Sequence, residues 1–433
     1  KVNQYETQAM QQMLLSHGHT LGEFDEPCDG YIVNSCTVTA VSDKKTRNAI
    51  RRAQKLNPDA AVGVCGCYAQ TAPEAVEALG VDLIAGTAER MQFLDDLERL
   101  SAAKAAPNRP APQVTVDNIM AHRTFEPLAA GGLEGRTRAM LKVEDGCTNF
   151  CSYCIIPYAR GPVRSLPLER AAAEARRLAE EGYRELVLTG IELSSWGRDL
   201  PGGPGPMDLV EAVCAAAPGC RVRLGSLEPR TVTEDFSRRC AALDNLCPHF
   251  HLSMQSGCDA TLRRMNRKYD TARYFESVEL LRGYFQAPGL TTDLIVGFPG
   301  ETEEDFLATL DVVERVGYGQ MFRFIYSKRP GTPAASIPDD TPREVLQERF
   351  ERLEKVAQQS SLAENNHEVG RIVPVLVEGS SRRDDRVLDG KSPRLQTVHA
   401  RLADGMRIED LIGRIVDVHV ESATTNYLQG TLV

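Results

Sequence analysis

Short apolar runs alternate along the first hundred residues with longer stretches whose apolar positions recur every three or four residues. The runs "YIVNSCTV" (31–38), "AAVGVCGCYA" (60–69) and "VDLIAGT" (81–87) read as strands that pass straight into polar turns. Helical patterns fall between them, so residues 1–105 are predicted to form a doubly wound parallel α/β domain with helices on both faces. Such sheets bind ligands beyond the carboxyl ends of their strands, where Cys36 and Cys67 both fall. Residues 106–135, which include "LAAGGLEG", are rich in Pro, Ala and Gly and read as a linker with a short strand inside it.

The alternation then resumes on a larger scale. "AMLKVEDG", "ELVLTG", "RVRLGSLEP", "HFHLSMQSG", "TTDLIVGFPG" and "MFRFIYS" are six strands separated by helical patterns. They predict a (β/α)6 partial barrel over residues 136–368, with functional groups at the carboxyl ends of the strands. After the charged helix "PREVLQERFERLEKVAQQSSLAENN", residues 369–433 switch to short strands with Gly-rich turns. That pattern predicts a small antiparallel β-barrel.

Composition narrows the class. The 433 residues are 42% hydrophobic and 25% charged, as expected of a soluble globular chain of about two to four domains. No run of ~20 apolar residues suggests a membrane span, and no secretory signal is visible, although a start at lysine implies that the natural N-terminus lies upstream. The net charge of −10 requires any nucleic-acid contact to come from local basic patches. Twelve cysteines, several at metal-ligand spacing, suggest thiolate chemistry in a reducing cytoplasm rather than a disulfide framework.

The densest chemistry lies in "DGCTNFCSYC" (145–154), where Cys147, Cys151 and Cys154 stand at C-x3-C-x2-C spacing, directly after the first barrel strand. A structural zinc site is closed by four ligands, and a [4Fe–4S] cluster normally takes four cysteines. Three thiolates in one loop leave one iron open to an outside ligand, which marks a reactive centre rather than a staple. The competing reading is a zinc-stabilised, non-catalytic RNA-binding protein whose fourth ligand is Cys247, His249 or His251.

These residues also carry a resemblance. "CTNFCSYC" resembles the signature loop of radical S-adenosylmethionine (SAM) enzymes. The three-part order, with "VNSCTVT", "GCYAQ", "DGCTNFCSYCIIPYARG", "LTGIEL", "LSMQSG", "DLIVGFPGET" and "YSKRPGTPA", is similar to the methylthiotransferase family with its C-terminal TRAM barrel. Within that family, "KVNQYET" and "NSCTVTAVSDKKTR" resemble the bacterial branch that acts on N6-threonylcarbamoyladenosine of tRNA. Branches acting on isopentenyladenosine of tRNA or on a ribosomal-protein aspartate are the alternatives.

The resemblance implies two [4Fe–4S] clusters and SAM. Cys147, Cys151 and Cys154 would hold the radical-SAM cluster. Cys36 and Cys67 would hold the auxiliary one, with a third ligand expected just before Lys1. SAM at the open iron would be cleaved reductively to a radical that takes hydrogen from C2 of the adenine. Tyr153 is expected beside the SAM adenine, and Thr189, Gly190 and Glu192 near its amino group. Ser253, Gln255 and Gly297 are expected at the barrel top, with Arg160 or Arg164 on a phosphate or on the SAM carboxylate. Glu192 is alternatively a helix-start acid.

RNA contacts are less sharply marked. In "DKKTRNAIRRAQK", Lys44, Arg47, Arg51 and Lys55 line one helix face, with Ser42 or Asp43 as the expected N-cap, and read either as a phosphate track or as a solvated face. Arg263 and Arg264, followed by Arg267 and Lys268, carry the same two readings. Cys28, Cys214, Cys220 and Cys240 read as packed thiols, and Cys65 as a bystander to Cys67. The expected partners are the tRNA anticodon loop and an electron donor such as flavodoxin or ferredoxin. The protein is expected to act as a monomer away from membranes.

Overall fold

The computed structural model describes residues 2–104, 111–128, 137–403 and 405–433. The chain divides into two compact units. One comprises Lys1–Leu133, Glu144–Leu166 and Ser327–Ser336, and the other Glu134–Val143, Pro167–Tyr326 and Ile337–Val433.

In the first unit, β1 (Gly30–Ser35), β2 (Ala61–Gly66), β3 (Leu83–Ala85) and β4 (Gln113–Thr115) form a parallel sheet in chain order. β4 lies in the segment expected as a linker, of which 106–110 and 129–135 lie outside the described residues. Side chains alternate across the strands, so the sheet has two apolar faces. Tyr31, Val33, Val62, Val64 and Ile84 pack with Ile50 and Ala53 of α2 (Ala40–Leu56), Tyr68 of α3 (Cys67–Thr71) and Val76 of α4 (Pro73–Glu77). Ala61, Cys65, Leu83 and Ala85 pack with Met10 of α1 (Val2–Ser16) and with Phe93, Leu94, Leu97 and Leu100 of α5 (Arg90–Lys104). Helices therefore cover both faces.

α2 begins earlier than its sequence suggests. Its N-cap is Thr39, whose side chain accepts from the Ser42 amide at 3.2 Å. Asp43, instead of capping, is buried and takes Thr37 Oγ1 at 2.8 Å and the guanidinium of Arg329. A second carboxylate partner thus outweighed the cap position.

The chain next contributes β5 (Arg138–Lys142) to the second unit and then the cysteine loop to the first. β6 (Glu144–Asp145) and β7 (Arg164–Ser165) pair antiparallel across the base of that loop. The second unit continues with β8 (Glu185–Thr189), β9 (Arg221–Leu224), β10 (Ser226–Leu227), β11 (His249–Leu252), β12 (Gly289–Val296) and β13 (Gln320–Ile325). With β5 they form two parallel sheets, β5-β8-β9 and β10-β11-β12-β13, and because only Gly225 separates β9 from β10 the two sheets follow one another as the six positions of the partial barrel.

After the long helix Arg343–Asn366, the strands β14 (Ile372–Ser381), β15 (Asp384–Lys391), β16 (Thr397–Arg401), β17 (Ile415–Ala423) and β18 (Tyr427–Leu432) close in the order β14-β15-β16-β18-β17. All pairs are antiparallel except β16–β18, which run parallel because the last strand inserts between β16 and β17. No helix among the described residues is long and apolar enough to cross a membrane.

Candidate active site

Strand register places the first two cysteines. Ser35, the last residue of β1, lies opposite Gly66, the last of β2, so Cys36 and Cys67 leave neighbouring strand ends. Ser35 fastens the turn: its hydroxyl donates to the Cys65 carbonyl at 2.6 Å and accepts from the amides of Tyr68 and Ala69 at 3.1 and 3.2 Å. Gly66 has φ +94°, and a Cβ there would sit 2.6 Å from the Ser35 carbonyl oxygen, so only glycine lets β2 turn into α3. Burial pushes the Cys67 thiol up; Arg160 pulls it back down, and Cys36 is close enough to add to the upward shift. Cys65, on the apolar face, is pushed up to about 12 by burial and stays a packed thiol.

The other three cysteines share a loop with a narrow neck. Gly146 has φ +83°, and a Cβ there would lie 1.9 Å from the Pro162 carbonyl oxygen. The Cys147 amide donates to the Gly161 carbonyl at 3.0 Å, and the Cys154 amide to the Cys151 carbonyl at 2.9 Å. Cys151 is buried, while Cys147, Cys154 and Tyr153 are half-buried. Short α6 (Ile156–Arg160) follows at once and is held by Thr87, which donates to the Ala159 carbonyl at 2.6 Å. The loop therefore presents three thiols from a fixed frame.

Arg160 does something other than wait for an anion. Its guanidinium is only 2% exposed. Nε donates to Cys67 Sγ at 3.2 Å, Nη2 to Glu6 Oε2 at 2.9 Å, and Nη1 to the other Glu6 oxygen and to Asp145 Oδ2 at 3.3 Å. Burial works against its charge, but Cys67, Glu6 and Asp145 more than offset that and hold it well above the usual arginine range. Glu6 also takes Arg90, which reaches Glu126 as well. Arg164 is equally engaged, donating to the carbonyls of Arg160 and Pro162 at 2.8 and 3.2 Å. The expectation that Arg160 or Arg164 captures a phosphate or the SAM carboxylate therefore meets side chains already committed inside the first unit. Sequence reasoning passed over Glu6 and Asp145. The signal was available, since each is an acid in a run that also carries a predicted ligand or motif residue.

The remaining expected SAM contacts lie in the second unit, at carboxyl ends of its strands. Thr189 ends β8 fully buried, with Oγ1 unpartnered. Glu192 accepts from the Ser194 amide at 3.1 Å and from the Ser195 hydroxyl at 2.6 Å, which matches the helix-start alternative. Beyond β11, the Ser253 carbonyl accepts from the Tyr269 hydroxyl, and Gln255 sits in the left-handed region at φ +68° while its amide donates to the Asp293 carbonyl at 2.8 Å. Gly297 follows β12, and its amide donates to Glu301 Oε2 at 2.7 Å. Burial raises the Glu301 carboxyl to about 7, against the pull of that amide and of Arg349.

The zinc alternative loses its candidate ligands. Cys247 is buried, with its thiol raised to about 11 by desolvation. His249 Nε2 and His251 Nδ1 share the Thr291 hydroxyl at 3.1 and 3.0 Å, and His251 Nε2 meets Asp293 at 3.1 Å. Cys214, Cys220 and Cys240 are buried thiols raised by desolvation, while Cys28 is only half-buried. Among the RNA candidates, Lys44, Arg51, Lys55 and Arg263 are exposed. Arg47 instead donates to the Tyr68 hydroxyl at 3.1 Å, and Arg264 pairs with Asp305 at 2.9 Å.

A C-x3-C-x2-C loop presented after the first strand of a six-stranded parallel partial barrel defines a radical-SAM enzyme, and its thiol donors fit a [4Fe–4S] cluster with one open iron. Residues 141–313 match the Radical SAM superfamily, residues 366–433 the TRAM domain, and residues 1–86 the uncharacterized protein family UPF0004. The chain is 35% identical, over its full length and 94% of the relative's, to the threonylcarbamoyladenosine tRNA methylthiotransferase of Bacillus subtilis (strain 168). It is also 35% identical, over its full length and 97% of the relative's, to the tRNA-2-methylthio-N(6)-dimethylallyladenosine synthase of Carboxydothermus hydrogenoformans. Among solved structures, the radical SAM methyltransferase TsrM of Kitasatospora setae superposes with a TM-score of 0.52 at 19% identity, covering 71% of this chain and 64% of that one, a likeness of fold. The chain belongs to the radical-SAM methylthiotransferase family. Its cofactors are SAM and [4Fe–4S] clusters, and its substrate is tRNA.

Proposed function

We propose that the enzyme replaces the hydrogen on C2 of N6-threonylcarbamoyladenosine, at position 37 beside the anticodon, with a methylthio group. The product is 2-methylthio-N6-threonylcarbamoyladenosine. The observation that carries the acceptor is the full-length likeness to the Bacillus subtilis enzyme named for that nucleoside, supported by "KVNQYET" and "NSCTVTAVSDKKTR".

When bound, the clusters and SAM supply a carbon radical able to take an unactivated hydrogen, together with the sulfur to be transferred. The chain's own residues hold, orient and shield. Cys147, Cys151 and Cys154 would hold the first cluster, and Cys36 and Cys67 would be ligands of the auxiliary one. Thr189 and Gly190 would line SAM, with Ser253, Gln255 and the Gly297 backbone at neighbouring strand ends, and Tyr153 would serve its adenine, while Glu192 caps the turn that follows β8. A C2 hydrogen cannot leave as a proton, so positioning must contribute much of the rate. The target base leaves its stack to be reached, and the small barrel grips RNA by shape. Lys44, Arg51 and Lys55 form a phosphate track on the exposed face of α2. The enzyme works as a cytoplasmic monomer fed by a flavodoxin- or ferredoxin-type donor.

The test is anaerobic incubation of the reconstituted full-length protein with SAM, reductant and tRNA carrying threonylcarbamoyladenosine, followed by nucleoside mass spectrometry. A nucleoside heavier by one methylthio group supports the reading, provided that it disappears with Cys151→Ala. The equal identity to the Carboxydothermus enzyme favours a second acceptor, dimethylallyladenosine. Formation of 5′-deoxyadenosine with an unchanged threonylcarbamoyladenosine, and methylthiolation of tRNA carrying the dimethylallyl base, selects that one.

A further inference from the structure

Arg160 stands at the last turn of α6, six residues after Cys154, yet its Nε points at Cys67. The contact is fixed from three sides. Glu6 takes the guanidinium through both oxygens, Asp145 takes Nη1 from the entry side of the cysteine loop, and the Arg160 carbonyl accepts from Arg164. Glu6 and Asp145 are 0% and 4% exposed, so no water dilutes the charge. A buried ion network of this size adds little stability over apolar packing, and an N–H aimed at a cysteine sulfur is a means of tuning a cluster.

Resting on the reading that Cys67 ligates the auxiliary cluster, we infer that Arg160 is a positioning residue for that cluster, raising its reduction potential by donating to the Cys67 sulfur, with Glu6 offsetting part of the charge. Reduction adds negative charge to the cluster. A guanidinium 3.2 Å from a ligand sulfur stabilises the reduced form more than the oxidised one. Because the same side chain belongs to the loop of the other cluster, its geometry ties the two cysteine sets together through one hydrogen-bonded group.

The test is an EPR-monitored redox titration of the full-length protein in which Cys147, Cys151 and Cys154 are replaced by alanine, so that only the auxiliary cluster reports. Arg160→Gln is expected to make reduction at least tenfold less favourable, a fall of 59 mV or more for a one-electron couple. Arg160→Lys, which keeps the charge and loses the directed N–H, should restore part of that. Glu6→Gln should move the potential the opposite way, a sign that general loosening does not produce. An unchanged potential in Arg160→Gln at full iron content overturns the inference. If Arg160→Gln holds no iron, Glu6→Gln decides: an upward shift supports the inference, and no shift or a downward one overturns it. Cys67→Ala is measured beside them. If it keeps the auxiliary signal, the ligand assignment fails and the inference falls with it.

Discussion

The N-terminal sheet and the C-terminal barrel are both built from short, valine-rich strands, yet they bury opposite kinds of group. Inside the barrel, Val373, Val375, Val377, Leu388, Val398, Val418, Val420 and Leu428 form an apolar core. At the carboxyl end of the parallel sheet, Glu6, Arg90, Arg160, Asp145 and Arg164 are buried around the cysteines. Closure gives every barrel strand two neighbours and leaves no open edge. The open parallel sheet leaves strand ends that converge, and there the molecule tolerates the desolvation of five charged groups. That arrangement is expensive as a way to hold a fold, but it suits a place where a thiolate needs a fixed counter-charge.

Substitutions can break this contrast in order of size. Cys151→Ala should reduce methylthio transfer to background and remove about four irons of eight, as read by mass spectrometry and iron assay; retained activity would disqualify the loop. Glu6→Gln takes from Arg90 and Arg160 the buried carboxylate they share, leaving Glu126 and Asp145 to balance them. It should lower unfolding free energy by about 3–5 kcal/mol in denaturant titration, and a loss below about 1 kcal/mol would mean that the network relaxes freely. Leu388→Ala, in the dry barrel, should cost about 2–5 kcal/mol while leaving the iron content unchanged. If colour is lost as well, the contrast fails.

A smaller effect is set by pH. Glu301 binds its proton more tightly folded than unfolded, since burial raises its carboxyl from 4.5 to about 7. Stability should therefore fall as pH rises from about 4.5 to 7, by up to roughly 3 kcal/mol at 1.36 kcal/mol per unit. Glu301→Gln should flatten that slope in unfolding curves taken across the range. The smallest effect lies on the exposed face of α2. Lys44→Ala and Arg51→Ala should each change stability by less than about 0.5 kcal/mol and reduce the salt slope of tRNA binding by roughly 0.7–0.9. An unaltered slope would return that stripe to plain solvation.

What was legible in the sequence follows from the range of the forces involved. The strands of both sheets and the six barrel positions are written in local periodicity, and the loop cysteines in spacing over eight residues. Arg160 was legible as a residue near the cluster and misread in its duty, because its partners Glu6 and Cys67 lie 154 and 93 residues away in the chain. The N-cap of α2 slipped for the same reason, when Asp43 found Arg329, 286 residues distant. The parallel β16–β18 pair had no local mark, since a strand's own pattern does not say which neighbour it takes. Motifs carried the site; long-range ion pairs and strand insertion did not show.

The first unit is assembled from three separate lengths of chain, the last ending at Ser336. During synthesis, therefore, a nascent chain that has just released the N-terminal sheet holds Cys36 and Cys67 without the arginine that faces Cys67, and Asp43 without Arg329. The first unit is therefore complete in sequence only once residue 336, about three quarters of the way along these 433 residues, has been made. No simple truncation can isolate that unit as an independent piece.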